Sequence, residues 1–210
     1  MPTKLFKQRL DKLDIAVFDL ETTGLRPRPD QIIQIALVQV SNGALTGGEL
    51  EWKVNPGDQV DIPAEIIELT GLSENELRAS PGLDEIFPQF GQAVGNSVVA
   101  GHNVGRFDLQ FIHMVERRLS LPERKYFIDT CLLSRRLKPN QANHKLATCA
   151  KAYGLAFDRN TLHDALADTR LCAQLLLHQI EDLRSLGINT FEDLLGFMSR
   201  KRTVSVQGAT

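Results

Sequence analysis

The segment IAVFDLE at residues 15–21 constrains this chain more than any other, because it reads as a buried strand yet ends in two acids. Side chains two apart in a strand face the same side, so Ile15, Val17, Asp19 and Glu21 share one face. Ile15 and Val17 mark that face as covered. Asp19 and Glu21 then stand at its rim with alpha-carbons about 6–7 Å apart. Two like charges so close are unfavourable when buried unless protons or a cation neutralise them. Oxygen-only ligands favour a hard divalent cation, magnesium or manganese, over zinc. The same D-x-E triplet also fits two solvated strand-end acids, and it is common by chance.

A second apolar run, QIIQIALVQV at 31–40, follows a connection, TTGLRPRPDQ, rich in turn formers. The two runs are expected to pair as an antiparallel hairpin. A third strand is expected at 49–54, with helices near 63–69, 73–78 and 82–95. SVVAGHN at 97–103 reads as a short strand ending in a polar turn. Beyond it, Phe107, Phe111, Met114 and Val115 recur at helical spacing. A strand near 126–129 leads into a helix at 130–137 stopped by Pro139. Further helices are expected at 145–153, capped by Gly154, at 165–185 and at 190–199, before a disordered tail, TVSVQGAT. A meander of strands followed by alternating strands and helices predicts an α/β fold, a mixed sheet flanked by helices. The expected organisation is an N-terminal extension (1–13), a main domain (14–185) and a C-terminal helix and tail (186–210).

Asp108 is the next acid of interest. On a helix beginning near Val104, it aligns with Phe111, Ile112 and Val115, so it lies on the apolar stripe. A carboxylate near a helix start is also stabilised by the dipole and the free backbone N–H groups, which is the plainer explanation.

The third acidic signal is TLHDALAD, residues 161–168. Asp164 is placed to cap the helix starting at Ala165. His163 and Asp168 are five apart, about 140° around an ideal helix. They can converge only if His163 belongs to the preceding turn. A neutral histidine beside a metal site is a natural general base; a surface histidine at a helix start is the commoner case. His102, His113, His144 and His178 have no acids placed around them in this way.

Net charge is −2, which neither favours nor excludes a nucleic-acid partner, since phosphate binding needs only local positive potential. Local basic clusters exist at Arg117, Arg118, Arg124 and Lys125, at Arg135, Arg136 and Lys138, and at Arg200, Lys201 and Arg202; such clusters are more often solvated helix ends. Cys131, Cys149 and Cys172 have no paired spacing and read as small apolar core residues in a reducing compartment. No apolar run approaches the roughly 18 residues that span a membrane, and the N-terminus lacks a signal-peptide core. A cytoplasmic protein without a membrane partner is expected.

Taken in order, D-x-E on a first strand, an Asp opening a helix after a short strand, and H-x4-D at a late helix form a demanding combination. FDLETTGL (18–25), LTGL (69–72), VVAGHNVGRFDLQFI (98–112), IDT (128–130), NHKLATCAKAYGL (143–155) and HDALADT (163–169) resemble the DnaQ-like exonucleases of the DEDDh group. Within that superfamily they are most similar to the proofreading exonucleases of bacterial DNA polymerase III, over residues 14–180. The resemblance implies a ribonuclease-H-like fold, two divalent cations (Mg2+ or Mn2+), and metal-dependent 3'-5' exonuclease activity releasing nucleoside 5'-monophosphates from DNA. It makes Asp19, Glu21, Asp108 and Asp168 the metal ligands, with Asp19 shared, and His163 the general base. It places Thr22, Leu25, Thr70, Asn103 and Phe107 against the terminal nucleotide of a single-stranded 3' end. Stacking on Phe107 or Leu25 would be tolerant of sequence.

The implied partner is nucleic acid, DNA before RNA, with a DNA polymerase as a further partner. QIEDL (179–183) is a poor match to a clamp-binding segment, and 186–202 could dock a partner or pack on the same domain. The alternatives are an RNA 3'-end-trimming exoribonuclease of the same superfamily and a non-catalytic nucleic-acid or polymerase-binding module. Inactive relatives would be expected to lose an acid or the histidine, and all five are present.

Overall fold

The computed structural model describes residues 2–158 and 164–199. Its five-stranded sheet has the order β3-β2-β1-β4-β5. β1 (Ile15–Thr22), β2 (Ile32–Ser41) and β3 (Ala44–Lys53) form the antiparallel meander, while β4 (Val98–Gly101) and β5 (Phe127–Asp129) run parallel to β1. The expected hairpin is present, pairing Asp19 with Ala36 and Glu21 with Gln34, and its register slips between Glu21 and Thr22.

β3 begins five residues before the expected position 49. Asn42 and Gly43 both take positive φ, 52° and 73°, and so make the tight two-residue turn that matches strand twist. The early part of β3, ALTGG, is an exposed edge, so no buried alternation announces it.

Nine α-helices are found among the described residues: α1 (Pro2–Phe6), α2 (Ala64–Thr70), α3 (Glu74–Ala79), α4 (Leu83–Val94), α5 (Asp108–Arg118), α6 (Thr130–Leu137), α7 (Leu146–Ala152), α8 (Ala165–Ser185) and α9 (Phe191–Ser199). Alternation along β1 sends Ile15 and Val17 into one apolar cluster, with Cys172, Leu176 and Ile180 of α8 and Leu133 of α6. It sends Ala16, Phe18 and Leu20 into the other, with Phe87 and Phe90 of α4 and Phe111 and Val115 of α5. Both faces of the sheet are therefore covered, as the mixed α/β reading requires.

The helix expected from Val104 starts instead at Asp108. Asn103 takes φ 63° and Phe107 takes φ −124°, ψ −80°, so residues 103–107 are spent on a turn. This shift makes Asp108 the first residue of α5 rather than a member of its second turn.

The terminal segments meet each other. Leu10 N–H donates to Asn189 O at 2.9 Å, and Phe191 N–H donates to Gln8 O at 3.0 Å. Phe191 and Leu194 are buried beside Leu10 and Leu13. The described part of the segment after 185 thus packs on its own chain. The three cysteines are free and buried, as their spacing suggested. No described helix is long and apolar enough to cross a membrane. The tail, the basic cluster at 200–202 and His163 lie outside the described residues.

Candidate active site

Chemistry-bearing residues gather where the parallel strands end. Asp19 and Glu21 stand at the carboxyl end of β1, Asn103 just after β4, and Asp129 at the end of β5. Clefts at the carboxyl ends of strands are where open α/β sheets take ligands.

Asp19 and Glu21 continue the face of Ile15 and Val17, towards α8. Asp168 lies in the first turn of α8, one turn before the buried Cys172, so strand and helix bring their acids to the same side. Asp164 caps α8 as expected, accepting the Ala167 N–H at 2.7 Å. Asp108 arrives from the opposite face of the sheet, because the rest of α5 packs in the other cluster. The β1–β4 ladder ends at the Val17–Ala100 pair, and beyond it Leu20 N–H donates to Asp108 Oδ1 at 3.2 Å. Asp108 is buried.

The four carboxylates feel one another. Burial first, then the charges of Asp108, Glu21 and Asp168, push the Asp19 carboxyl well above its ordinary range. Burial, then Asp168, Asp108 and Asp164, raise Glu21 to about 8. Burial raises Asp108 to about 7, while its own and the Leu20 backbone N–H pull the other way. Burial also pushes up the Cys172 thiol, and Asp19, Asp129 and Asp108 add to the rise. Packing has therefore forced like charges together in a dry place, a cost that persists only where something offsets it.

Among the described residues no group of three or more His, Cys, Asp or Glu side chains forms a finished metal cage. The donor set nevertheless fits a hard divalent cation: it is all carboxylate, partly dehydrated and short of positive charge.

Asp129 is a site residue to which the sequence reading gave no role. Its Oδ1 accepts Asn103 N–H (3.0 Å), Cys131 N–H (3.0 Å) and Leu132 N–H (3.1 Å), and its Oδ2 accepts Gly105 N–H (3.3 Å). One buried carboxylate thus caps α6 and holds the turn that delivers Asn103, Phe107 and Asp108. Its position, an acid between a strand and a helix, was the available signal. Beside it, His102 Nδ1 lies 2.8 Å from Thr130 Oγ1 and Nε2 lies 2.9 Å from His144 O. Burial lowers the His102 pKa, so this ring is part of the scaffold.

The expected nucleotide contacts are placed unevenly. Thr22 is buried and donates from Oγ1 to Gly24 O at 2.6 Å, while Leu25 projects with 81% exposure. A Cβ at Gly24 would come within 2.5 Å of the Asp30 carboxylate, so any larger residue there would have to displace that side chain. Phe107 rests on Phe111 with ring centroids 5.3 Å apart. Asn103 and Asp168 line one cleft. Thr70 is different: its hydroxyl donates to Ile66 O at 2.8 Å and accepts Leu72 N–H at 3.3 Å. Among the described residues no hydrogen bond joins Thr70 to the acids.

The family model described as Exonuclease matches residues 16–176. The PolC-type DNA polymerase III of Caldanaerobacter subterraneus subsp. tengcongensis is 32% identical over 181 residues, which is 86% of this chain and 12% of that one. A DNA polymerase III subunit epsilon-like protein of Rhodobacter capsulatus is 34% identical over 188 residues, 89% of this chain and 26% of that one. The chain therefore spans 12% and 26% of the length of these two relatives.

Among solved structures, E. coli exonuclease I in complex with a dT13 oligonucleotide has a TM-score of 0.70 at 18% identity, covering 84% of this chain and 43% of that one. Exonuclease X in complex with 5' overhanging duplex DNA has a TM-score of 0.64 at 22% identity, covering 88% of this chain and 99% of that one. These two share its fold, and the expected ribonuclease-H-like architecture is borne out. The fold is shared with those proteins, and with the family model matching most of its length the chain belongs to the exonuclease family.

Proposed function

We propose that the chain hydrolyses the 3'-terminal phosphodiester of a DNA strand, releasing nucleoside 5'-monophosphates. The reading rests on one observation: Asp19, Glu21, Asp108 and Asp168, drawn from three elements, share a single electrostatic neighbourhood. Exonucleases of this family generally depend on divalent metal ions, and these four carboxylates are the residues that would hold them. When bound, two such ions, magnesium or manganese, supply the charge stabilisation that the attacking and leaving oxygens require.

The chain's own groups do the rest. His163 takes the proton of the attacking water, a contribution of order 100- to 10,000-fold. Leu25 and Phe107 offer apolar surfaces to the terminal base, and stacking of that kind reads no sequence. Asn103, fixed by Asp129, faces the same cleft as Asp168. The names of the relatives, DNA polymerase III PolC-type and subunit epsilon-like, favour DNA as substrate and a polymerase as the partner class.

The test is nucleotide release from matched 5'-labelled DNA and RNA oligomers, with manganese or with chelator. Stepwise shortening of DNA that stops in chelator is expected. Rapid shortening of RNA with inert DNA would overturn the choice of substrate, and hydrolysis surviving exhaustive chelation would overturn the metal assignment. His163→Ala should lose at least 100-fold in rate while keeping metal-induced stabilisation.

A further inference from the structure

Two clefts meet beside the acids. The larger, about 640 Å³, is lined by His102, Asn103, Arg135, His144, Lys145 and Asp168, among others. The smaller, about 250 Å³, continues past Asn103, Cys131 and Arg135 to Arg106. Together they form one trough that starts at Asp168 and is flanked by three exposed cations, Arg106, Arg135 and Lys145.

These cations differ from eight arginines that are committed elsewhere. Arg9, Arg26, Arg78, Arg117, Arg118, Arg124, Arg170 and Arg184 all ion-pair with carboxylates. Among the described residues Arg106, Arg135 and Lys145 form no ion pair with a carboxylate. Arg136, next to Arg135, is committed elsewhere, donating to Met198 O at 2.6 Å and lying over the Phe197 ring. Of the trough's two acids, Asp129 is saturated by four backbone N–H groups, and Asp168 belongs to the acid cluster. A chain of net charge −2 thus places three exposed cations that, among the described residues, have no carboxylate partner along a groove that leads to its acids.

We propose that this trough carries the single strand upstream of the scissile bond, its phosphates lying against Arg135, Lys145 and Arg106. This rests on the exonuclease reading above and adds to it a strand path and a minimum substrate length. Long side chains meeting phosphates as point charges or forks hold a backbone without reading bases. Binding along the trough is therefore indifferent to sequence, dependent on salt, and lost on substrates too short to reach Arg135.

The experiment compares wild type with Arg135→Gln/Lys145→Gln. Affinity for fluorescein-labelled dT10 is measured by anisotropy in chelator across a salt series. Hydrolysis is measured with manganese on dT10 and on the p-nitrophenyl ester of thymidine 5'-monophosphate, which has no upstream phosphate. In the double variant, dT10 affinity should fall at least 10-fold and the log–log salt slope should flatten by about 1.4, at about 0.7 per lost phosphate contact. kcat/KM on dT10 should fall mainly through KM, with the ester hydrolysed within about twofold of wild type.

Equal losses on dT10 and the ester, or unchanged dT10 affinity and salt slope, would overturn the strand path. A wild-type protein that binds dT10 through these residues but releases no nucleotide would overturn the exonuclease reading and leave the path standing. One that cleaves dT10 with no dependence on Arg135 and Lys145 would do the reverse.

Discussion

Leu20 N–H donates to Asp108 Oδ1 at 3.2 Å, joining residues 88 positions apart. This bond sits where β1 outruns β4, and it pulls the start of α5 round the strand end towards Asp19 and Glu21. An amide oxygen can accept the same bond. Asp108→Asn should therefore fold normally and, in chelator at pH 8, melt at or above the wild-type temperature, because one like charge is gone. Its nucleotide release should fall by at least about 1000-fold, since losing several kcal/mol of charge stabilisation costs several tenfold steps. Near-normal turnover would remove Asp108 from the ligand set.

Removing Asp19 tests the shared ligand. Asp19→Ala should abolish nucleotide release and also abolish the rise in melting temperature that manganese produces in the wild type. A variant that still gains stability from manganese would show that the ion is held elsewhere.

The acids also set a pH dependence. Glu21 titrates near 8 and Asp108 near 7 in the folded chain, against about 4.3 and 3.9 when unfolded. A folded pKa above the unfolded one means that the folded state holds the proton more tightly. The resulting stabilisation is complete below about pH 4 and is lost as pH rises through 7 and 8. In chelator, melting temperature should fall between pH 5 and pH 9, and Glu21→Gln should fall less. Manganese should raise it more at pH 8 than at pH 6, because protons no longer compete for the carboxylates. A wild type and Glu21→Gln that fall in parallel would show that Glu21 carries no such strain.

Asp129 offers a graded test of the clamp. Asp129→Ala removes a helix cap, worth about 1 kcal/mol, and leaves buried N–H groups without a partner, at about 1–3 kcal/mol. Urea unfolding should show a loss of about 2–4 kcal/mol. Asp129→Asn keeps the oxygen that serves Asn103, Cys131 and Leu132 and should lose about 1 kcal/mol. Equal losses in the two variants would mean that charge, rather than hydrogen-bond geometry, holds the turn.

Behind the site, Glu116 is fully buried and paired with Arg124 through both the side chain and the Arg124 N–H. Arg124→Ala strands a buried charge and should cost about 3–5 kcal/mol. Adding Glu116→Gln should recover part of that loss. No recovery in the double variant would point to Arg124 packing over the Phe90 ring as the larger contribution.

Some of this was legible in the sequence for plain physical reasons. Period-two alternation at 15–21 specified both the strand and the face on which its acids stand, because a strand's geometry is local. The same holds for the Asp164 cap and for α8, which runs over 165–185 as its apolar spacing indicated. The start of α5 was misread by one turn, since apolar periodicity does not register that Asn103 and Phe107 leave helical φ and ψ. The early part of β3 was missed because an exposed edge strand buries nothing.

Other relations exist only once the sheet is assembled. That Asp108 reaches β1 from the far face, that Asp129 serves two segments at once, and that Arg135 and Lys145 flank the groove leading to Asp168 are contacts between residues distant in the chain. The sequence by itself determined which residues could carry charge and which local elements they ride on. Only the tertiary structure decided which charges face one another, because packing two apolar clusters on opposite sides of one sheet dehydrates the strand ends and drives their acids together.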